Sequence, residues 1–328
     1  MRLVEPVAIA GSALCLPLER DSAEQALARG SVTPAVVRAE GIQALRVCAP
    51  DETSSELAAR TITSALARAK VDPSSVDLLA YGWLFERDER LAPNRLAQLV
   101  GVRSGAAFGV RQMSNGGAAA LELVARSLVT DPAVRTAVAV TSDSFRELPY
   151  DRWLSTPPLG DGAASVVLTR GSGPCVLRAI TSVGDPGLEL RYPGRDPFAP
   201  LSPEDGTTTA WGDASVTRGI RQCVADVVTR VLSQANLAPD DSRIALVRSS
   251  RVGRTTVRHL LTAALPRPLR SKVVVPGEET GHLGAGDLLA NLAEFELPRP
   301  GQFHLLISVG AGLTATAAVV EGKVEPAN

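Results

Sequence analysis

The chain has 328 residues, which is enough for two core-sized units or for one large one. Aromatic residues make up 4% of the sequence and charged residues 21%, so the composition favours closely packed α/β layers of small side chains. The formal net charge of −1 argues against nucleic acid as a partner, and no apolar run reaches the roughly 20 residues of a membrane span.

The four cysteines stand singly and form no CxxC pair. This pattern is typical of buried, reduced thiols in a cytoplasmic protein, and it argues against a disulfide framework or a zinc site. We therefore expect a cytoplasmic location, no metal and no membrane partner.

Strand and helix patterns alternate along the chain. The first strand is predicted over 7–16, and a capping box of Thr53 and Glu56 opens a helix that ends at Lys70. Further strands are predicted over 76–82, 106–112, 134–144 and 164–168, the last following the Gly-Asp-Gly-Ala turn at Gly160. A second series follows: a strand from 176, a surface loop over 185–211, a helix opened by Asp213 or Ser215, a strand over 244–247, a helix over 254–265, a strand over 272–275, a helix over 286–295, and strands over 302–309 and 314–321.

The second series repeats the first. Segment 65–79 (ALARAKVDPSSVDLL) resembles segment 231–245 (VLSQANLAPDDSRIA), with an offset of 232 − 66 = 166. Strand 136–142 matches strand 302–308 at the same offset, and the turn at Gly160 has a looser counterpart in the turn from Gly310 to Leu313. We therefore predict two duplicated halves, 1–172 and 173–328.

Segment 106–128 (AAFGVRQMSNGGAAALELVARSL) is predicted to be a strand, a tight turn and a buried helix, with Ser114 just before the helix. The free backbone N–H groups and the positive dipole end at this position would stabilise an oxyanion. Most serines before a helix are only caps. Taken alone, Ser114 is better explained as a cap.

The repeat changes the interpretation of Ser114. The equivalent position in the second half lies near residue 282, in the Gly281–Asp287 segment, because 282 − 114 = 168. A two-fold duplication would bring His282 opposite Ser114, where a neutral imidazole can activate the hydroxyl. Asp287 would fix the imidazole tautomer, or it would simply satisfy the helix dipole. The other two histidines, His259 and His304, are interpreted as structural.

Four motifs carry a family resemblance: AFGVRQMSNGGAAALEL, LGDGAASVVL, GHLGAGD and VGAGLTATAAVVE. Over essentially its whole length the chain resembles the thiolase superfamily, in its β-ketoacyl-ACP synthase III-like branch. The resemblance implies a five-layered αβαβα fold and a homodimer whose sheets join through strand 106–112. It also implies an oxyanion hole from the backbone N–H groups of Ser114 and Gly312, and a pocket for the phosphopantetheine arm of coenzyme A or an acyl carrier protein, with no permanently bound cofactor.

The departures from the family pattern concern the reacting groups. Condensing members have a cysteine where this chain has Ser114, an asparagine where it has His282, and a histidine where it has Ser249. The missing pair stabilises the enolate formed by decarboxylation, whereas His282 can deprotonate an acceptor. We therefore predict a non-condensing acyltransferase of polyketide or antibiotic biosynthesis that passes an acyl group through Ser114 to a carrier thiol, a hydroxyl or an amine. Direct transfer without a covalent intermediate stays open.

Arginines are concentrated near the start of the helix over 254–265. Since acyl carrier proteins are acidic, Arg251, Arg254 and Arg258 are predicted to bind one, although a solvated helix face paired with acids explains them equally well. Three alternatives for the whole chain remain: a non-catalytic partner of a synthase III-like enzyme, a starter-unit condensing enzyme using Ser114, and a thioesterase. Specificity is expected in the loops over 84–95 and 186–211.

Overall fold

The computed structural model describes residues 2–85, 93–171, 173–191, 198 and 214–323. The strands are β1 (Arg2–Cys15), β2 (Glu19–Ser22), β3 (Ala44–Val47), β4 (Leu78–Gly82), β5 (Ala106–Val110), β6 (Thr136–Asp143), β7 (Gly162–Arg170), β8 (Cys175–Gly184), β9 (Ile244–Arg248), β10 (Val273–Val274), β11 (Phe303–Gly310) and β12 (Thr314–Gly322). The helices are α1 (Ala23–Arg29), α2 (Pro34–Glu40), α3 (Ser54–Ala69), α4 (Pro93–Leu99), α5 (Gly116–Thr130), α6 (Ala214–Ala235), α7 (Arg254–Thr256), α8 (Arg267–Arg270) and α9 (Asp287–Glu294).

The same order of antiparallel and parallel strand pairs occurs twice in the sheet. Ten strands form one sheet in the order β10-β9-β11-β12-β8-β1-β7-β6-β4-β5. Within the set β1, β7, β6, β4 and β5, β7 is antiparallel to both β1 and β6, and β4 is parallel to β6 and β5. Strands β8, β12, β11, β9 and β10 repeat this arrangement, and the two sets join where β1 pairs with β8. The repeat seen in the sequence is therefore a repeat of topology.

Three hydrophobic cores divide the molecule into layers. The inner core contains α5 and α9 together with strand residues from both halves, whereas α3 and α6 each pack on the outer face of one half. Side chains alternate accordingly along each strand. On β7, Val166 faces the inner core and Val167 faces α3; on β12, Val320 faces the inner core and Val319 faces α6. This order of layers confirms the predicted αβαβα fold.

Local sequence rules explain the long elements. The capping box that begins α3 is present as predicted, because Thr53 and Glu56 each accept the backbone N–H of the other. Helix α6 buries one aliphatic stripe against the second half. Across the described ranges, no helix combines the length and hydrophobicity needed to cross a bilayer.

A small unit formed by β2, α1, α2 and β3 has no counterpart in the sequence prediction. Its elements are four to seven residues long, too short to show a clear hydrophobic period. It has its own small core around Leu45 and Trp153. The Glu40 carboxylate at the end of α2 accepts the N–H groups of Thr255 and Thr256, so it caps α7 and ties the unit to the second half.

The helix predicted over 254–265 is present but changes geometry, since a π-helical turn over Val257–Leu261 follows α7. Most of the two loops predicted to carry specificity, over 84–95 and 186–211, lies outside the described residues. The four cysteines are free, as predicted, and burial raises the pKa of the Cys48 and Cys175 thiols to about 12, which makes these two thiols poor nucleophiles.

Candidate active site

The three side chains predicted to act together are in contact. Ser114 Oγ lies 2.8 Å from His282 Nε2, and His282 Nδ1 lies 2.7 Å from Asp287 Oδ2. His282 and Asp287 are buried, while Ser114 is half-buried. Ser114 stands just before α5 and His282 stands shortly before α9, which are related helices of the two halves.

Asp287 determines which nitrogen of His282 carries the proton. Its Oδ2 also accepts the Arg251 N–H at 2.7 Å, and its Oδ1 accepts the Leu283 N–H at 2.9 Å. Burial by itself would raise the pKa of Asp287, but the neighbouring His282 and Arg251 outweigh it and lower the pKa of this carboxyl. An ionised carboxylate only accepts hydrogen bonds. Nδ1 must therefore be the donor, which leaves Nε2 free to accept the Ser114 hydroxyl proton.

The turn that presents Ser114 is held from both halves of the chain. Met113, directly before it, has a positive φ of 48°, a conformation that costs a non-glycine residue on the order of 1 kcal/mol. Asn115, directly after it, is fully buried and donates to Gln112 Oε1 at 2.7 Å and to Thr316 Oγ1 at 2.8 Å. These bonds hold the strained turn in place.

Glycines allow the two helix N-termini to approach each other. A Cβ at Gly117 would lie 2.6 Å from the Ala285 carbonyl oxygen, and one at Gly116 would lie 3.2 Å from the Ala285 Cβ. Only glycine at 117 permits this packing of α5 against the turn that carries His282. The short Ser114–His282 distance depends on it.

Two buried aspartates accept backbone N–H groups around the site. Neither was predicted from the sequence as a site residue. Asp143, at the end of β6, accepts the N–H groups of Leu84 and Phe85 at Oδ1 and that of Ala285 at Oδ2, all at 2.8 Å. Asp161, within the predicted turn after Gly160, accepts the Phe145 N–H at 2.8 Å. A carboxylate at the end of an apolar strand was the available signal for Asp143.

Gly312 lies in the turn between β11 and β12, where its φ is 75°. This turn packs on the Ser114 turn, since a Cβ at Gly310 would lie 2.7 Å from the Gln112 carbonyl oxygen. Ser308 Oγ also donates to the Ser114 carbonyl at 3.5 Å. The loop predicted to complete an oxyanion hole is therefore adjacent to Ser114.

The predicted carrier-binding role of Arg251 is wrong. Its side chain is 1% exposed, forms an ion pair with Glu294 of α9, and donates to Thr280 Oγ1 at 3.2 Å. A guanidinium buried against α9 of the same chain cannot contact another protein. Arg254 and Arg258 are exposed as predicted, and Arg254 lies 3.5 Å from Glu278.

A cavity of about 360 Å³ is lined in part by the segment from Ser250 to Leu261, which contains Arg254 and Arg258. Ser250 and Val309 in its wall adjoin residues of the site, because Ser250 precedes Arg251 and Val309 follows Ser308. His259, interpreted from the sequence as structural, also lines this cavity. The wall is mainly aliphatic and hydroxyl-bearing: Thr156, Pro157, Thr217, Ile220, Arg221, Ser250, Val252, Thr255, Thr256, His259, Leu260, Leu261 and Val309. Among the residues that the structure describes, no cluster of His, Cys, Asp or Glu is arranged to hold a metal ion.

No family model matches the sequence. Solved structures do match it. ChlB3, described as an acyltransferase, is 27% identical, with 97% of this chain and 98% of that chain covered and a TM-score of 0.84. The 3-oxoacyl-[acyl-carrier-protein] synthase III of Aquifex aeolicus VF5 is 19% identical over 96% and 99% of the two chains, with a TM-score of 0.77. The protein has the thiolase-like fold.

A third thiolase-like structure is a cysteine-to-serine variant of OleA from Xanthomonas campestris, solved with lauric acid and lauroyl-CoA. It is 17% identical over 97% of this chain and 100% of that chain, with a TM-score of 0.79. In the thiolase-like chain described here, the contact between Ser114 and His282 joins residues that are 168 positions apart in the sequence.

Proposed function

We propose that this protein is an acyltransferase that moves an acyl group from a thioester donor through Ser114 to a second acceptor. The observation that carries the proposal is the hydrogen-bonded series Ser114–His282–Asp287. In this series the lone pair of His282 Nε2 faces the Ser114 hydroxyl. The similarity to ChlB3, described as an acyltransferase, supports the proposal.

In the first step His282 Nε2 takes the hydroxyl proton while Ser114 Oγ attacks the thioester carbonyl carbon. The backbone N–H groups of Ser114 and Gly312 receive the negative charge on the carbonyl oxygen. When the carbon–sulfur bond breaks, the thiolate leaves and takes the proton from the His282 imidazolium. The acyl group then remains on Ser114 as an ester.

In the second step His282 takes a proton from the acceptor, which is a carrier thiol, a hydroxyl or an amine. The acceptor attacks the ester, and Ser114 leaves with the proton from the imidazolium. Asp287 stays ionised throughout, because its two backbone N–H donors and the imidazolium all favour the carboxylate. The acyl group has moved and the enzyme is unchanged.

The environment of Ser249 argues against decarboxylative condensation. Its hydroxyl donates to the backbone carbonyls of Ser250 and Val274, both at 3.2 Å. A neutral hydroxyl bound to the main chain is a weak substitute for an imidazole that stabilises an enolate. His304 is buried in β11, where burial and then Arg248 lower its pKa to about 4.

The cavity supports a donor that carries a phosphopantetheine arm, either coenzyme A or an acyl carrier protein, with no permanently bound cofactor. Threonine hydroxyls suit the amides of such an arm, and aliphatic residues suit its methyl groups. The exposed Arg254 and Arg258 stand at the same helix and suit an acidic carrier. We further propose a homodimer through β5, which is an edge strand of the sheet. The context we propose is natural-product biosynthesis.

Intact-protein mass spectrometry after incubation with acetyl-CoA tests the proposal. The wild-type protein should gain one acyl mass, and Ser114→Ala should gain none. His282→Ala should acylate at least 100-fold more slowly, as expected when a general base is lost. An unchanged turnover in Ser114→Ala would remove the hydroxyl from the chemistry, and release of carbon dioxide from malonyl-CoA would indicate a condensing enzyme instead.

A further inference from the structure

Asn115 occupies the N-cap position of α5, directly after Ser114, but its side chain does not cap that helix. An asparagine at this position usually accepts a backbone N–H group from the first turn of its own helix. Here the side-chain amide donates to Thr316 Oγ1 of β12, which is 201 positions away in the chain. The side chain beside the proposed nucleophile is therefore bonded to the second half of the molecule.

Thr316 belongs to a row of hydroxyl groups that crosses three neighbouring strands. The pairing register places Thr316 opposite Ser308 of β11 and opposite Ser182 of β8. Residues two positions away on each strand belong to the inner core, so all three hydroxyl groups face the side of the sheet on which α5 lies. The row meets the turn around Ser114 twice, because Ser308 donates to the Ser114 carbonyl and Thr316 accepts from Asn115.

The far end of this row contacts a buried carboxylate of α5. The Ser182 hydroxyl lies 2.7 Å from Thr316 Oγ1 and also donates to Glu122 Oε2. Glu122 is 7% exposed and forms an ion pair with Arg126 at 2.5 Å, one turn further along the helix. The hydrogen bonds therefore run from one end of α5 through β12 and β8 and back to the same helix. We refer to Asn115, Thr316, Ser182 and Glu122 as the polar series.

The carboxylate determines the direction of every hydrogen bond in the polar series. An ionised carboxylate only accepts, so the single proton of the Ser182 hydroxyl points to Glu122. Ser182 must then accept the Thr316 proton, and the Thr316 oxygen is left to accept an N–H of Asn115. The second N–H of the Asn115 amide donates to Gln112 Oε1 at 2.7 Å. The amide thus has one orientation.

The polar series joins the two parts of the proposed oxyanion hole. Ser114 lies directly before Asn115, whereas Gly312 lies in the turn between β11 and β12, four residues before Thr316. A Cβ at Gly310 would lie 2.9 Å from the Asn115 Cβ, so this turn and Asn115 are in close contact. Because the two N–H donors belong to different halves of the chain, their spacing depends on contacts between the halves such as the bond from Asn115 to Thr316.

We propose that the polar series positions the oxyanion hole: it holds the Ser114 N–H and the Gly312 N–H at the spacing at which both reach one carbonyl oxygen. Its members Thr316, Ser182 and Glu122 are therefore positioning residues. This inference rests on the acyl transfer proposed above. Loss of one oxyanion-hole donor slows a reaction by about 100- to 1,000-fold, and a displaced donor should lose part of that factor.

The proposal predicts a loss of rate without a loss of donor binding. Among the described residues that line the large cavity, none belongs to the polar series. The arm of the thioester should therefore bind as before when the series is broken. Only the negative charge that develops during the reaction should be less well stabilised, because it exists in the transition state and not in the bound donor.

The test measures single-turnover acylation of Ser114 by intact mass over a range of acetyl-CoA concentrations. Thr316→Val keeps the shape of the side chain but removes its hydroxyl. The maximal rate should fall at least tenfold, and the half-saturating concentration should stay within twofold of the wild type. Thr316→Ser retains the hydroxyl and should keep the maximal rate within threefold. The pH profile of both variants should keep its midpoint, since His282 and Asp287 are outside the polar series.

Glu122→Gln tests the direction of the bonds. A glutamine amide can accept from Ser182 or donate to it, so Asn115 is no longer held in one orientation. The maximal rate should lie between those of the wild type and Thr316→Val, and this variant with Ser182→Ala replaces Thr316→Val if that protein does not fold. Thr61→Val is the matched control, because this threonine is 1% exposed and its hydroxyl donates only within α3, to the Ala58 carbonyl at 2.9 Å. It should keep both values within twofold.

Three results would overturn the inference and leave the acyltransferase intact. The first is a maximal rate in Thr316→Val within twofold of the wild type, and the second is an equal loss in Thr316→Ser. The third is a loss that appears only as a higher half-saturating concentration. The absence of an acetyl adduct on the wild-type protein would overturn the proposed function and the inference with it.

Discussion

The substitution Asp287→Asn removes the negative charge beside His282 and should leave the position of the imidazole unchanged. In the native site Oδ2 of Asp287 accepts two N–H groups, from His282 Nδ1 and Arg251, whereas Oδ1 accepts only the Leu283 N–H. The amide oxygen of asparagine should therefore take the Oδ2 position, where it satisfies more donors. Its NH₂ group then faces the Leu283 N–H, and the imidazole keeps its tautomer.

The expected loss of activity follows from the missing negative charge. A hydrogen bond to a charged group contributes about 1.5–3 kcal/mol, against about 1 kcal/mol for a neutral pair. The imidazolium that forms during transfer loses this difference, so acylation of Ser114 should slow about 10- to 100-fold. The unsatisfied Leu283 N–H should lower the free energy of unfolding by about 1–3 kcal/mol.

Asp143→Asn is a closely matched control. Asp143 also accepts two backbone N–H groups at one oxygen and one at the other, and it is equally buried. Since these three donors are main-chain groups outside the Ser114–His282–Asp287 series, the substitution should cost similar stability but slow acetyl transfer less than threefold. Thermal melts and single-turnover acylation with acetyl-CoA measure both. A folded Asp287→Asn protein that acylates at the wild-type rate, or an equal slowing in both variants, would refute the reasoning.

Three further substitutions test other parts of the structure. Arg254→Glu should reduce transfer from a carrier-bound donor at least tenfold and leave the acetyl-CoA rate within twofold, and equal losses with both donors would contradict the carrier surface. Glu40→Ala removes the cap of α7, so it should cost about 1 kcal/mol and raise KM for the donor, with Glu40→Gln in between; an unchanged melting temperature would contradict this. His304, whose pKa is lowered from 6.5 to about 4 by burial and then by Arg248, binds its proton more readily in the unfolded chain, so the protein should lose stability as the pH falls through this window. His304→Gln should make the melting temperature less dependent on pH between pH 7 and pH 4.5, and the exposed His259→Gln should behave like the wild type. If the melting temperature of His304→Gln falls in parallel with that of both, His304 does not cause the loss of stability.

The sequence determined the features that depend on neighbouring residues or on the repeat. The α3 capping box and the stripe on α6 are local, and they are present as predicted. The offset between the two halves paired Ser114 with His282, since duplicated halves related by a two-fold axis bring equivalent helix N-termini together. The predicted fold follows from the same repeat.

The tertiary structure alone decided which polar groups are buried. Arg251 and Arg254 are three residues apart, yet Arg251 is buried and paired with Glu294, whereas Arg254 is exposed. Asp143 likewise acts on backbone N–H groups of two loops that are far from it in the chain. The capping of α7 by Glu40 depends on a unit whose helices and strands are too short to be periodic. Such contacts join distant segments, and the desolvation of a charge depends on everything packed around it, which no local pattern records.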